Sequence, residues 1–157
     1  MDLTPYQHVE TVIVAAPPEA VYDLVADITR MGEWSPVCTA GEWVDDTKAS
    51  FIGTNALGEF TWQTTCRVDT AARGEEFTFV NLGLQGDEEL VRWSYRFVPM
   101  ADGTELTESW EVLPGYEPSM KALAPDMNLK EYLDGVKPNT QVGMAETLAK
   151  VKAAAEA

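Results

Sequence analysis

The stretch Pro138–Glu156, PNTQVGMAETLAKVKAAAE, predicts the long helix around which the rest of the chain is organised. Four apolar residues recur there at spacings of four, three and four, the repeat of one helix face: Met144, Leu148, Val151 and Ala155. The proline at its start is tolerated in a first helical turn, and the closing alanines favour helix strongly. No other long helical pattern occurs, so this helix is the expected apolar centre of the fold.

Seven shorter segments have the composition of β-strands, and the last six follow one another with only brief connections. Turns such as Leu57-Gly58 and Arg73-Gly74 supply the positive φ that tight hairpins need. Strands joined by short turns run antiparallel. The predicted strands are Gln7–Val14, Thr39–Val44, Ser50–Asn55, Glu59–Asp69, Glu75–Leu82, Glu88–Pro99 and Thr104–Leu113.

Two short helices are predicted between the first and second strands. The prolines at 17 and 18 suit a first helical turn, and apolar residues follow at helical spacing: Val21, Leu24, Val25 and Ile28. Asp27 is expected to cap a second helix over Ile28–Met31, which Gly32 closes. Residues 116–135 are expected to be irregular apart from short helical turns.

The composition is that of a compact globular protein. Its 157 residues, 45% of them apolar, suffice for one domain spanning 1–157. The net charge of −15 repels nucleic-acid phosphates and anionic lipid surfaces, so nucleic acid is not an expected partner. No apolar run is long enough for stable membrane insertion and no secretion signal is visible, so a cytoplasmic location is expected.

The order of elements and five local motifs resemble the helix-grip fold of the START and birch-pollen-allergen superfamily, also called SRPBCC. The motifs are APPEAVYDLVAD (Ala16–Asp27), MGEWSP (Met31–Pro36), RWSYRF (Arg92–Phe97), DGTELTESW (Asp102–Trp110) and GMAETLAKVK (Gly143–Lys152). Together they are similar to the bacterial branch labelled polyketide cyclase/dehydrase and lipid transport. The resemblance implies an α+β fold in which a curved antiparallel seven-stranded sheet wraps around the C-terminal helix. It also implies a cavity between them for an apolar ligand.

Alternation along the strands separates an apolar face from a charged one and places Glu108 on the apolar side. In the last strand, Leu106, Glu108 and Trp110 share a face. A carboxyl among aromatic rings would be desolvated, with a raised pKa, and suited to proton transfer or to binding a ligand hydroxyl or amine. Two interpretations stay open, because Glu108 could instead pair with an arginine at a strand edge: Arg67, Arg92 or Arg96.

The candidate ligand-binding residues are the aromatic and polar side chains expected on the same inner face, with two from the helix. Glu108 and Tyr95 are the catalytic candidates among them. The aromatic members could equally be ordinary core residues, since cores and pockets use the same rings. The full set is Trp34, Phe51, Asn55, Trp62, Thr64, Phe77, Phe79, Asn81, Trp93, Tyr95, Glu108, Trp110, Met144 and Leu148.

Three functions remain open at this stage. The first is a carrier or sensor of a small hydrophobic molecule, and the second is a cyclase or dehydratase acting on a polyketide-like substrate. The third is a protein-interaction module, with residues 116–135 as a contact surface or lid. His8, the only histidine, is expected at the surface or a strand edge, and no metal site or cofactor is implied.

Overall fold

The computed structural model describes residues 1–157 and contains one seven-stranded antiparallel sheet, as the sequence predicts. The strands lie in the order β1-β7-β6-β5-β4-β3-β2, so consecutive strands pair from β2 to β7 and β1 closes on β7. Their bounds are β1 (Gln7–Val14), β2 (Cys38–Trp43), β3 (Ser50–Leu57), β4 (Phe60–Ala72), β5 (Glu76–Leu82), β6 (Glu89–Met100) and β7 (Gly103–Val112).

Short helices follow β1, and one predicted boundary among them is wrong. Helix α1 spans Pro18–Ala26, a 3₁₀ turn covers Ile28–Arg30, and α2 spans Met31–Trp34. Asp27 caps the 3₁₀ turn as predicted, but Gly32 lies inside α2 and does not close a helix. A Cβ at Gly32 would overlap the backbone carbonyl of Thr39, so glycine is required there by the close approach of β2.

The C-terminal helix α4 spans Leu129–Ala155 and therefore begins well before Pro138, where the sequence pattern placed its start. Asn128 is the N-cap, and its side chain accepts a hydrogen bond of 3.2 Å from the backbone N–H of Glu131. Pro138 lies inside the helix, where it removes one backbone hydrogen bond. The predicted irregularity of 116–135 is also wrong apart from its expected helical turns, since helix α3 covers Tyr116–Leu123.

One face of α4 packs on the sheet, and the predicted stripe is confirmed. Met144, Leu148 and Val151 are buried, and Ala155 packs against the edge of the core. A polar side chain of α4 also binds the backbone of β1, an edge strand. Lys152 donates a 2.6 Å hydrogen bond to the carbonyl of Ile13. These contacts hold α4 along the side of the sheet that we call the concave face.

Two apolar clusters lie between the concave face and the helices. The larger surrounds Phe51, Phe79 and Leu148, beneath α1 and the C-terminal part of α4. The smaller surrounds Trp110 and Met144, towards the start of α4. Trp93 packs against both clusters, so the boundary between them crosses the middle of β6.

Candidate functional site

Three polar side chains lie side by side on the concave face, on the three neighbouring strands β1, β7 and β6. Glu10 is the cross-strand partner of Glu108, and Glu108 is the partner of Tyr95. Directly paired residues of antiparallel strands point to the same face, with their Cβ atoms about 5 Å apart. The register therefore brings together two carboxyl groups and a phenol from distant parts of the chain.

Glu108 is buried, with 2% of its surface exposed, and its carboxyl is only half satisfied. The hydroxyl of Tyr95 donates a 2.8 Å hydrogen bond to Oε1, whereas Oε2 is buried without any partner. Burial raises the pKa of Glu108 to about 8, and the hydrogen bond from Tyr95 only partly opposes this increase. The negative charge of Glu10 raises the pKa further. Glu108 is therefore mainly protonated at neutral pH.

The alternative in which Glu108 pairs with an arginine is wrong. Each candidate arginine binds another carboxylate on the outer side of the sheet. Arg92 donates a 2.9 Å hydrogen bond to Glu111, and the other two pair elsewhere. The remaining ion pairs are Arg67 with Asp69 and Glu89, and Arg96 with Glu76.

His8 is a site residue that the sequence argument missed. Its Nε2 lies 2.7 Å from Oε1 of Glu10, and its Nδ1 lies 3.3 Å from Nε2 of Gln141 on α4. One tautomer of the ring satisfies both contacts, with Nε2–H donating to Glu10 and Nδ1 accepting from the Gln141 amide. β1 is an edge strand, as expected, but the side chain is half-buried and aimed at α4. The overlooked signal is that His8 and Glu10 share a strand face with the inward-facing Val12 and Val14, because every second residue of a strand points to the same side.

Most of the predicted aromatic and helix residues lie in the two clusters and pack on one another. For example, the Phe51 and Phe79 rings meet edge to face with centroids 5.1 Å apart. The buried members of the predicted set, apart from Tyr95 and Glu108, are Trp34, Phe51, Phe77, Phe79, Trp110, Met144 and Leu148.

The other predicted residues lie where the concave face opens to solvent, and we call them the mouth residues: Asn55, Trp62, Thr64, Asn81 and Trp93. Four are half-buried, and Trp62 is exposed. All lie in the halves of their strands that are nearer the β3–β4 and β5–β6 connections. Two inward contacts link polar groups there. Asn55 Nδ2 donates to Thr64 Oγ1 at 3.0 Å, and Cys66 Sγ lies 3.3 Å from Asn81 Oδ1.

A separate cleft of about 590 Å³ lies at the opposite end of the same strands, beneath α1. Its lining includes Tyr22, Trp43, Lys48, Val68 and Phe77. Phe77 is the only predicted site residue among its lining residues. The cleft is therefore a second recess, distinct from the mouth and from the Glu108 carboxyl.

The segment predicted as a contact surface or lid divides its apolar residues between core and solvent. Leu129 and Leu133 are buried in the smaller cluster, and Met120 packs against it. Leu123 is 62% exposed, and Tyr132 is also exposed. The segment is thus anchored through the smaller cluster and leaves some apolar side chains exposed.

The family described as polyketide cyclase/dehydrase and lipid transport matches residues 7–156. This chain belongs to that family. The polyketide cyclase/dehydrase family match covers every strand and all of α4, so it includes both the carboxyl pair and the mouth residues.

Solved structures with the same fold include a Polyketide_cyc-like protein and aromatase/cyclase proteins. A Polyketide_cyc-like protein from Corynebacterium glutamicum is 33% identical, with 94% of this chain and 89% of that chain covered and a TM-score of 0.66. The Zhui aromatase/cyclase from Streptomyces sp. R1128 is 17% identical, with 96% and 93% covered and a TM-score of 0.68.

The di-domain ARO/CYC StfQ of the steffimycin biosynthetic pathway is 13% identical, with a TM-score of 0.71. The alignment covers 96% of this chain and 50% of StfQ, so this chain spans half the length of that protein. At such identities the likeness to Zhui and StfQ shows the fold alone. No curated protein matches this chain.

Two further properties of this polyketide cyclase/dehydrase family member concern metals and membranes. No three His, Cys, Asp or Glu side chains are grouped so that they could hold a metal ion. None of the helices combines the length and apolar character needed to span a bilayer.

Proposed function

We propose that this chain binds a small hydrophobic molecule between the concave face and α4, entering at the mouth residues, as a carrier or sensor. The carrying observation is the incomplete burial of Trp93 and Asn81 beside the buried Phe79 and Tyr95 on the same face. Side chains that line such an opening have an apolar surface and a few hydrogen-bonding groups, the usual composition of a ligand pocket.

Exposed apolar side chains at the adjacent hairpin tips support entry at this end. Leu57 and Phe60 flank the β3–β4 turn, and Leu84 lies in the β5–β6 connection with 86% of its surface exposed. Phe60 also stacks on Trp62, with ring centroids 5.3 Å apart. Apolar residues clustered beside an opening favour contact with an apolar ligand over contact with water.

The acid–base properties of Glu108 favour a second candidate, a cyclase or dehydratase acting on a polyketide-like substrate. A carboxyl whose pKa is about 8 can donate or accept a proton near neutral pH. Tyr95 would orient it through the 2.8 Å hydrogen bond. On this second proposal, Glu108→Gln abolishes ring closure of a poly-β-ketone while the protein stays folded, and unchanged turnover would exclude Glu108 as the acid or base.

The binding proposal is tested by native mass spectrometry of the protein purified from its own organism, followed by denaturing extraction of any bound molecule. If the protein is purified without a ligand, it is incubated with the apolar extract of the same cells and measured again. We expect a one-to-one complex with an apolar molecule. Binding of no component of that extract would contradict the proposed function.

A further inference from the structure

We propose that the ligand taken by the concave face carries a protonated amine, which Glu10 and Glu108 bind beside the tryptophan rings of the smaller cluster. This inference deepens the proposed function and rests on it. It commits the site to an apolar ammonium compound, as opposed to an apolar acid or a neutral carbonyl compound.

The charge distribution of the chain is the first argument. Nine of its eleven basic side chains pair with carboxylates outside the Glu10–Glu108 pair. The other two are Lys137, which donates to the carbonyl of Pro5, and Lys48, which lies over the ring of Trp43. The two adjacent carboxyls therefore have no lysine or arginine as a counter-ion, and the one basic side chain against them is His8, 2.7 Å from Glu10. No basic side chain contacts Glu108, and a ligand cation would supply that positive charge.

The geometry of the two carboxyls is the second argument. Glu108 Oε2 is buried and has no hydrogen-bond partner, although most buried polar atoms in proteins have one. Its neighbour Glu10 keeps 32% of its side chain exposed, so the pair is not sealed from solvent. An ammonium group has three donors and can bind both carboxyls at once, which a carbonyl oxygen cannot.

The surrounding rings are the third argument. Trp110 is the cross-strand partner of His8, and Trp93 is the partner of Trp110, so two indoles lie one step along the strands from the carboxyl pair. The face of an indole attracts cations, most strongly where water is excluded. The net charge of −15 adds a field that concentrates cations and repels anions around the whole molecule.

The ionisable groups that face this position give the inference a pH dependence. They are His8 and Glu10 on β1, Tyr95 on β6 and Cys38 on β2, whereas α4 contributes Gln141, Met144, Thr147 and Leu148, none of which titrates. Glu108 ionises when the ammonium binds, so binding releases a proton when the pH is below about 8. Affinity for the amine should therefore increase as the pH is raised from 6 to 8.5.

The test compares three probes that share one ring system, measured by titration calorimetry with the full chain: 2-naphthylmethylamine, 2-acetylnaphthalene and 2-naphthoate. We expect the amine to bind at least tenfold more tightly than the ketone or the acid at pH 7.5. We expect Glu108→Gln and Glu10→Gln each to weaken the amine about tenfold and to leave the ketone unchanged. Circular dichroism of both variants checks that they are folded.

The outcomes separate the two proposals. Binding of the ketone as tightly as the amine, or an amine affinity that Glu108→Gln does not change, would overturn the amine inference and leave hydrophobic binding intact. Failure of all three probes to bind would contradict both. Calorimetry in two buffers of different ionisation enthalpy must also show proton release with the amine, and its absence would count against Glu108 as the ligand's partner.

Discussion

Tyr95 donates a 2.8 Å hydrogen bond to Oε1 of Glu108 across neighbouring strands, while Oε2 of the same carboxyl stays buried and unpartnered. Only one of the two carboxyl oxygens of Glu108 thus has a hydrogen-bond partner inside the protein. Burying a polar atom without a partner costs about 1–3 kcal/mol. The protein therefore carries at Glu108 a destabilising arrangement that a bound ligand could relieve.

Replacing Glu108 by glutamine should change how stability depends on pH. The folded protein holds the Glu108 proton up to about pH 8, against an ordinary value of 4.5, so its contribution to stability is complete below about pH 4.5 and is lost as the pH rises towards 8. The free energy of unfolding of Glu108→Gln relative to the natural protein should rise by about 1 kcal/mol per pH unit over that range.

Urea titrations at pH 5, 6, 7 and 8 measure this difference. Glu105→Gln is the matched control, since Glu105 is on the same strand and faces the other way. Parallel stability profiles for Glu108→Gln and the natural protein would mean that Glu108 is not buried in its protonated form.

Tyr95→Phe should make Glu108 harder to ionise. The hydrogen bond from Tyr95 lowers the pKa of Glu108, so its loss should move that pKa further up and cost about 1–3 kcal/mol of stability. NMR titration of the glutamate side-chain carbons measures the pKa directly. Tyr22→Phe removes the hydroxyl of another buried tyrosine and should leave the Glu108 titration unchanged. An unchanged titration in Tyr95→Phe would contradict the assigned hydrogen bond.

Leu148→Glu should unfold the protein or lower its melting temperature by well over 10 °C. Leu148 is buried in the larger cluster, and a carboxylate there would have no partner. Val142→Glu, on an exposed position of the same helix, should change the melting temperature little. Thermal unfolding monitored by circular dichroism measures the melting temperature of each variant. Equal effects of the two variants would show that this face of α4 is not packed against the sheet.

Two glycine-to-alanine substitutions should change the stability of the protein in opposite directions. Gly32→Ala should destabilise the protein, because the new methyl group would overlap the backbone carbonyl of Thr39. Gly135→Ala should stabilise it by about 0.5–1 kcal/mol, because Gly135 lies inside α4 with open space around its Cα. Chemical denaturation of both variants measures the signs. Destabilisation by Gly135→Ala would contradict the early start of α4.

Alternation of apolar and polar residues was sufficient to predict the strands and the inward position of Glu108. The start of α4 was missed because Pro138 imitates a first-turn proline, whereas the signal that decides the boundary is the cap at Asn128. The ring nitrogens of His8 could not be matched to Glu10 and Gln141 from sequence, because that contact depends on how α4 lies along β1. Nor could the sequence predict that Glu10 and Glu108 are neighbours, because that depends on the register of β1 against β7.

The central claim is that an apolar ligand binds at the concave face and its mouth, and the five tryptophans report on it directly. Their indole N–H signals are followed by NMR during titration with N-phenyl-1-naphthylamine, a neutral fluorescent probe, after assignment by single Trp→Phe variants. Trp62, Trp93 and Trp110 lie at the mouth or beside the carboxyl pair, whereas Trp43 lines the separate cleft beneath α1. We expect the Trp93 signal to shift most and the Trp43 signal to stay in place. Shifts confined to Trp43, or none at all, would contradict the claim.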